Sequence, residues 1–253
     1  MLHILRRHPL PVSAHFRHSL VLTYALPPET LQPLLPPGLE LDTFENCAFV
    51  AVAMVQTENL RPEFMPHCVG QDFFLAGYRI FARYRNGTRN LRGLRILRSD
   101  TDRRLMVFSG NLLTHYNYRK CDVTLCETPQ RLEICIRTPG AMADLDVVMD
   151  RMCLPGSLPE GSPFRNEIEA FRFAGPLPYT FDYEPQTHSM IIIKGVRQNW
   201  HPQLANVEVR ENTFLKQQPF ANSNPVLASA FYVQDIPYRW ESGRRQPLQE
   251  VQP

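Results

Sequence analysis

The sequence predicts a mainly β, single-domain antiparallel barrel or cone carrying a few short outer helices. Three observations carry that expectation. Twenty-three prolines are spread from Pro9 to Pro253 through a chain of 253 residues. An interior proline removes a helical hydrogen bond and clashes with the preceding turn, so long helices are disfavoured. Between the prolines recur short stretches rich in β-branched and aromatic residues, and Asn86-Gly87 between two of them offers the positive-φ pair of a tight hairpin.

In chain order the expected strands are residues 19–25, 48–55, 73–84, 91–97, 105–108, 122–125, 132–136, 190–196, 207–209 and 226–233. Leu132-Glu133-Ile134-Cys135-Ile136-Arg137 alternates as a half-buried strand should. Helices are few. Residues 28–35 form a short one after the first strand, with Glu29 near its positive end. Ser162 as N-cap and Pro163 at the first helical position open a second, which stacks Phe164, Ile168 and Phe171 on one face. Residues 143–152 are a third candidate. No internal repeat or linker divides the chain. A lead-in of residues 1–14, a barrel domain of residues 15–241 and a polar tail of residues 242–253 are expected.

Composition excludes several function classes. A 43% apolar and 21% charged chain is globular, and at this length it can bury a large core without disulfide or metal staples. The net charge of +2 gives no reason to expect nucleic acid or an acidic membrane as partner. Eight arginines fall between Arg83 and Arg104, but Tyr84 is the only aromatic among them, so there is little on which bases could stack. The solvent face of a hairpin, offset in part by Asp100 and Asp102, accounts for the strip. The longest apolar run, residues 48–55, falls far short of the ~18 residues of a membrane span. Arg6, Arg7 and His8 interrupt any signal-like stretch, so a cytoplasmic location is expected, with Cys47, Cys68, Cys121, Cys126, Cys135 and Cys153 reduced. His15, His18 and His67-Cys68 lack the further anchored ligands of a zinc site, and neither a metal nor a cofactor is expected. No nucleophile elbow, dinucleotide fingerprint or phosphate loop is present.

One stretch stands out chemically. Residues 110–121 place Lys120, one of only three lysines against 24 arginines, beside Arg119 and among Tyr116, Tyr118 and apolar residues. A partly desolvated amine next to a second cation loses its proton more readily and becomes a nucleophile toward carbonyls. The alternative is an exposed Arg-Lys pair at a strand end.

Several short motifs resemble the acetoacetate decarboxylase-like superfamily. His15-Phe16-Arg17, Thr23-Tyr24, Pro28-Glu29-Thr30-Leu31 and Leu35-Pro36-Pro37-Gly38-Leu39-Glu40 look like its opening strand, short helix and P-x-x-L-E turn. Val52-Ala53-Met54, the hairpin at Asn86-Gly87 and the 110–120 stretch follow. Phe171-Arg172-Phe173-Ala174-Gly175-Pro176-Leu177-Pro178 and Gly195-Val196-Arg197-Gln198-Asn199-Trp200 are similar to its uncharacterised branch. The resemblance covers about residues 15–233 and implies a β-barrel or cone with outer helices.

The resemblance also implies site positions. Arg17 falls on the arginine that shapes the family's carboxylate site, and a guanidinium can hold a carboxylate bidentately. Ungapped reading places Val50 and Ala76 where the decarboxylases carry two acids. It places Tyr118 and Arg119 on their adjacent lysines, with Lys120 two residues beyond the first and on the same strand face. The resulting expectation is a protein whose barrel cavity takes a small carboxylate or oxo-acid. It would act as a lyase in which Lys120 forms a Schiff base, Arg119 depresses its pKa, Arg17 orients the carboxylate, and Tyr116 or Tyr118 relays protons. The rival is a binding or accessory protein that keeps the barrel and has lost the chemistry. A further alternative is acid–base work by His115 and Tyr118. Barrels of this kind often assemble as homo-oligomers.

Overall fold

The computed structural model describes residues 2–86, 89–175 and 177–248. Its first strands are β1 (Val12–Leu26), β2 (Leu39–Leu41), β3 (Ala48–Pro62), β4 (Gln71–Asn86) and β5 (Arg89–Thr101). Then come β6 (Tyr118–Lys120), β7 (Asp122–Glu127), β8 (Arg131–Arg137), β9 (Leu145–Asp150), β10 (Tyr179–Glu184) and β11 (Ser189–Arg197). The last are β12 (Gln203–Leu204), β13 (Val207–Asn212), β14 (Val226–Trp240) and β15 (Arg244–Pro247). The helices are α1 (Leu2–Leu5), α2 (Pro28–Leu31), α3 (Arg104–Leu113) and α4 (Glu167–Ala174).

Pairing runs β14-β1-β3-β4-β5-β10-β11, and β11 returns to β14 through Gly195–Trp240, Val196–Arg239 and Arg197–Tyr238. The sheet therefore closes on itself as a barrel or cone, mainly β and in one domain, as the sequence led one to expect. β5 pairs in parallel with β10 and β6, while the other ring contacts are antiparallel.

Alternation sorts the long strands into two layers. Leu20, Leu22, Val50, Val52, Met54, Ala76, Tyr78 and Ile80 face outward. A second sheet, ordered β13-β9-β8-β7, covers them with Leu132, Ile134, Ile136, Leu145, Val147 and Met149, all fully buried. Burying one such side chain is worth about 2 kcal/mol, so this outer sheet clamps one wall of the barrel. Ser19, Val21, Ala51, Ala53, Val55, Leu75 and Phe231 face inward instead.

Four local expectations need correction. Residues 105–108 are not a strand but part of α3, because Met106, Gly110 and Leu113 meet the barrel at helical spacing. Residues 143–152 are not a helix. Leu145, Val147 and Met149 are buried alternately in β9, a two-residue period that length alone did not reveal. The helix expected from Ser162 starts later, at Glu167, where the Asn166 side chain accepts the Glu169 amide. It buries Ala170, Phe173 and Ala174, leaving Ile168 exposed. Within the expected tail, Arg244–Pro247 pairs with Ser189–Ile192 as β15.

Gly87 and Pro176 lie outside the described residues, although β4 and β5 pair down to Asn86–Arg89 as the hairpin expectation requires. Much of the arginine strip is spent on internal ion pairs. Arg83 and Arg92 hold the buried Asp42, each at 2.6 Å, Arg95 holds Asp182 at 2.6 Å, and Arg98 holds Asp100. Among the described residues, no helix is long and apolar enough to cross a membrane, and no group of three metal-ligating side chains is present.

Candidate functional site

The inward faces enclose a cavity of about 390 Å³. Its walls are largely apolar, yet two guanidiniums, Arg79 on β4 and Arg197 on β11, project into it, and Arg61 joins its lining. Tyr116, Tyr118, Tyr238 and Trp200 surround the first two. Among the described residues lining the cavity there is no aspartate, glutamate or lysine.

Arg79 is half-buried, and its Nε, itself covered, has no partner in the protein. Burial lowers its pKa, with Arg197 adding like-charge repulsion, while the Tyr238 and Tyr118 hydroxyls act in the opposite sense. A guanidinium nevertheless stays protonated in proteins, so the charge persists. Arg197 donates through Nη2 to the Leu177 carbonyl at 2.8 Å, leaving Nε and Nη1 without partners. Its Cζ lies 4.5 Å from the centroid of the Trp200 ring and 5.4 Å from that of Tyr238.

Local structure explains how these side chains come together. On β5 a bulge at Leu97 lets Arg98 face Tyr78 while Ile96 faces Arg79. Bulges shift which side chains face inward, and here Ile96 and Ser99 both line the cavity. Arg197 sits opposite Tyr238 at the seam that closes the ring. Glycines make the room. A Cβ at Gly77 would lie 2.9 Å from the Arg79 guanidinium, one at Gly110 would lie 2.4 Å from the Tyr118 ring, and one at Gly195 would overlap the Tyr238 hydroxyl.

The tyrosines are donors. Burial pushes the Tyr118 hydroxyl up to about 12, against a lowering by Arg79, and raises Tyr116 well above its ordinary value with help from Asp182. The Thr180 side chain approaches the Tyr116 hydroxyl and offsets part of that rise. His8 also lines the cavity. Its Nδ1 is unpartnered, and burial lowers its pKa to about 4, so it is neutral at pH 7. Chemically the arrangement offers three guanidiniums, of which Arg61 is engaged by the Met65 and Asn59 carbonyls and His67, together with protonated phenols and a neutral imidazole, which suits an anion.

The structure brings together only some of the residues singled out from sequence. Tyr116 and Tyr118 line the cavity. His115 lies outside the lining, its Nδ1 2.7 Å from Asp182, which also binds Arg95. Arg119 is exposed. Lys120 borders a shallow external recess with Arg104, Val107, Phe108 and Asn111, a different face of α3 from the one turned to the cavity. Its amine donates to the Cys121 carbonyl at 2.5 Å and to Asp122 at 3.1 Å.

Arg17 is also outside. It is the extra residue of a bulge in β1, since Phe16 pairs with Thr57 and His18 with Gln56. The side chain is 49% exposed and bonds Glu127 at 3.1 Å. Val50 and Ala76 face the outer sheet, and their inward-facing neighbours, Ala51 and Leu75, are apolar as well. Sequence reasoning missed Arg79 and Arg197 as site residues. The available signal was an arginine two residues after a glycine inside an otherwise apolar strand, in Gly77-Tyr78-Arg79 and again in Gly195-Val196-Arg197.

Comparison with known proteins fits this architecture. The model of the DUF2071 family, described as an uncharacterized conserved protein, matches residues 13–237. No curated protein matches the sequence. Among solved structures, acetoacetate decarboxylase from Legionella pneumophila is similar at a TM-score of 0.62 and 12% identity, over 94% of this chain and 88% of that one. An acetoacetate decarboxylase-like enzyme from Sphingomonas wittichii RW1 gives 0.57 and 15%, over 97% and 96%. The enduracididine biosynthesis enzyme MppR, solved with pyruvate, gives 0.58 and 12%, over 94% and 90%. At these identities the likeness establishes a shared fold.

Proposed function

This chain belongs to the DUF2071 family, on the acetoacetate decarboxylase-like fold, and from that premise we propose that it binds an organic carboxylate between Arg79 and Arg197. The observation that carries the reading is the pair of guanidiniums in a cavity whose described lining has no acid to neutralise them. Two like charges in a low-dielectric enclosure are costly, and an anion offsets that cost with charge-assisted, fork-shaped hydrogen bonds. Arg79 Nε and Arg197 Nε and Nη1 lack partners but are themselves covered, so the anion is met by the accessible remainder of each half-buried side chain. The pyruvate complex of MppR is in keeping with a carboxylate in a barrel of this kind.

The geometry favours recognition by guanidinium over Schiff-base catalysis. No described lining residue is a lysine, and Lys120 faces another recess. The protein is therefore read as a carboxylate-binding member whose barrel works without an iminium. Calorimetric titration with carboxylates, against alcohols of the same skeleton, tests this. Arg79→Met and Arg197→Met should each weaken carboxylate binding about 10- to 100-fold, the value of one hydrogen bond to a charged group. Unchanged affinity in both variants would refute the proposal. A Lys120-dependent mass gain after borohydride reduction with an oxo-acid would instead favour the Schiff-base lyase.

A further inference from the structure

The shape and lining of the same cavity narrow the class of carboxylate, an inference that rests on the binding reading above. At about 390 Å³ it is much larger than a three- or four-carbon acid requires. An apolar cavity of about 150 Å³ takes up benzene, so this one has room for a ligand more than twice that size.

The chemistry of the walls is divided. Arg79, Arg197, Tyr116, Tyr118 and Tyr238 act on one another electrostatically and form a polar end. Val21, Ala51, Phe81, Leu94 and Phe231 line the cavity too and belong to one apolar cluster, which meets the polar wall where Ala51 pairs with Arg79. Ala51 and Ala53, small side chains on the inward face of β3, leave the space that larger residues would fill. A short oxo-acid held by the guanidiniums would leave this apolar end without contacts, and an apolar wall lacking partner atoms forfeits its dispersion attraction.

We propose that the ligand is an amphipathic carboxylate, its head held by Arg79 and Arg197 and its apolar body of about eight to twelve carbons lying along Ala51, Phe81, Leu94 and Phe231. Medium-chain acyl and single-ring aryl-alkyl acids belong to this class, whereas pyruvate and acetoacetate do not.

A chain-length series tests it. Straight-chain carboxylates from butyrate to dodecanoate, with pyruvate and 1-decanol as references, are titrated into the full-length protein by calorimetry. Affinity should rise about fourfold per methylene, the value of one buried CH₂, and level off once the cavity is filled. Decanoate should bind at least tenfold more tightly than decanol. Ala51→Leu narrows the cavity from the strand position opposite Arg79 and should move the plateau to shorter chains, with a larger loss of affinity for decanoate than for butyrate. Butyrate and pyruvate binding as tightly as decanoate would overturn the long-body inference while leaving the carboxylate site standing. Decanol matching decanoate, or no carboxylate binding at all, would overturn both.

Discussion

At the scale of single residues, the site depends on what is missing as much as on what is present. Tyr118 occupies the space that any side chain at residue 110 would take, since a Cβ there would lie 2.4 Å from its ring. Gly110→Ala should therefore displace Tyr118, and binding should weaken at least tenfold, with a stability loss of about 1–3 kcal/mol from overpacking. Retained affinity together with an unshifted Tyr118 resonance would contradict this. The same residues show why the site was only half legible. Tyr116 and Tyr118 were found because they sit beside a conspicuous lysine. Arg79 and Arg197 were passed over because arginine is the usual cation of this chain, and the fold alone decides which arginines turn inward. Arg17 illustrates the converse. Counting back in twos from the inward-facing Val21 and Ser19 would carry it into the barrel, but the bulge at that residue sends it to Glu127.

Among the elements, the segment before β1 has the clearest functional consequence. His8, Pro9 and Leu10 line the cavity, so this lead-in is part of its wall. Arg7 ties it down with two hydrogen bonds, 2.8 and 2.6 Å, to Glu184, whose side chain has no exposed surface and whose pKa is lowered to about 2, chiefly by that arginine. The His8 amide donates to the Leu113 carbonyl, and its carbonyl accepts the Gly243 amide.

The imidazole gives this wall a pH dependence. Because burial lowers the folded pKa of His8 from 6.5 to about 4, the unfolded chain takes up a proton first. The stability of the neutral, buried ring is fully present above about pH 6.5 and is lost as pH falls toward 4. Protection of the His8 and Gly243 amides, corrected for the intrinsic pH dependence of exchange, should fall across that window, and His8→Leu should flatten the response. A wild-type profile unchanged between pH 6.5 and 4.5 would contradict the assignment. Strand and helix limits were legible where alternation was long, as in β8. They failed in short apolar runs, where the strand and helix periods coincide, as in α3 and β9.

For the molecule as a whole, the mainly β class and the decarboxylase-like architecture were readable from proline density, recurring strands and scattered motifs. Closure of the ring was not. The pairing of β11 with β14 is a nonlocal contact of three residue pairs, and it brings Arg197 against Tyr238 at one edge of the site. Nothing local in either strand announces it. The consequence is a barrel backed on one wall by a second sheet, with an interior that holds charge without countercharge among its described lining.

The most direct measurement is a crystal structure determined with a bound carboxylate, decanoate first and pyruvate second. The carboxylate is predicted to lie between the Arg79 and Arg197 guanidiniums, about 2.7–2.9 Å from a nitrogen of each as charge-assisted bonds require, with no covalent link to the chain. A carboxylate seated elsewhere, or a ligand carbon joined to Lys120 Nζ, would contradict the account.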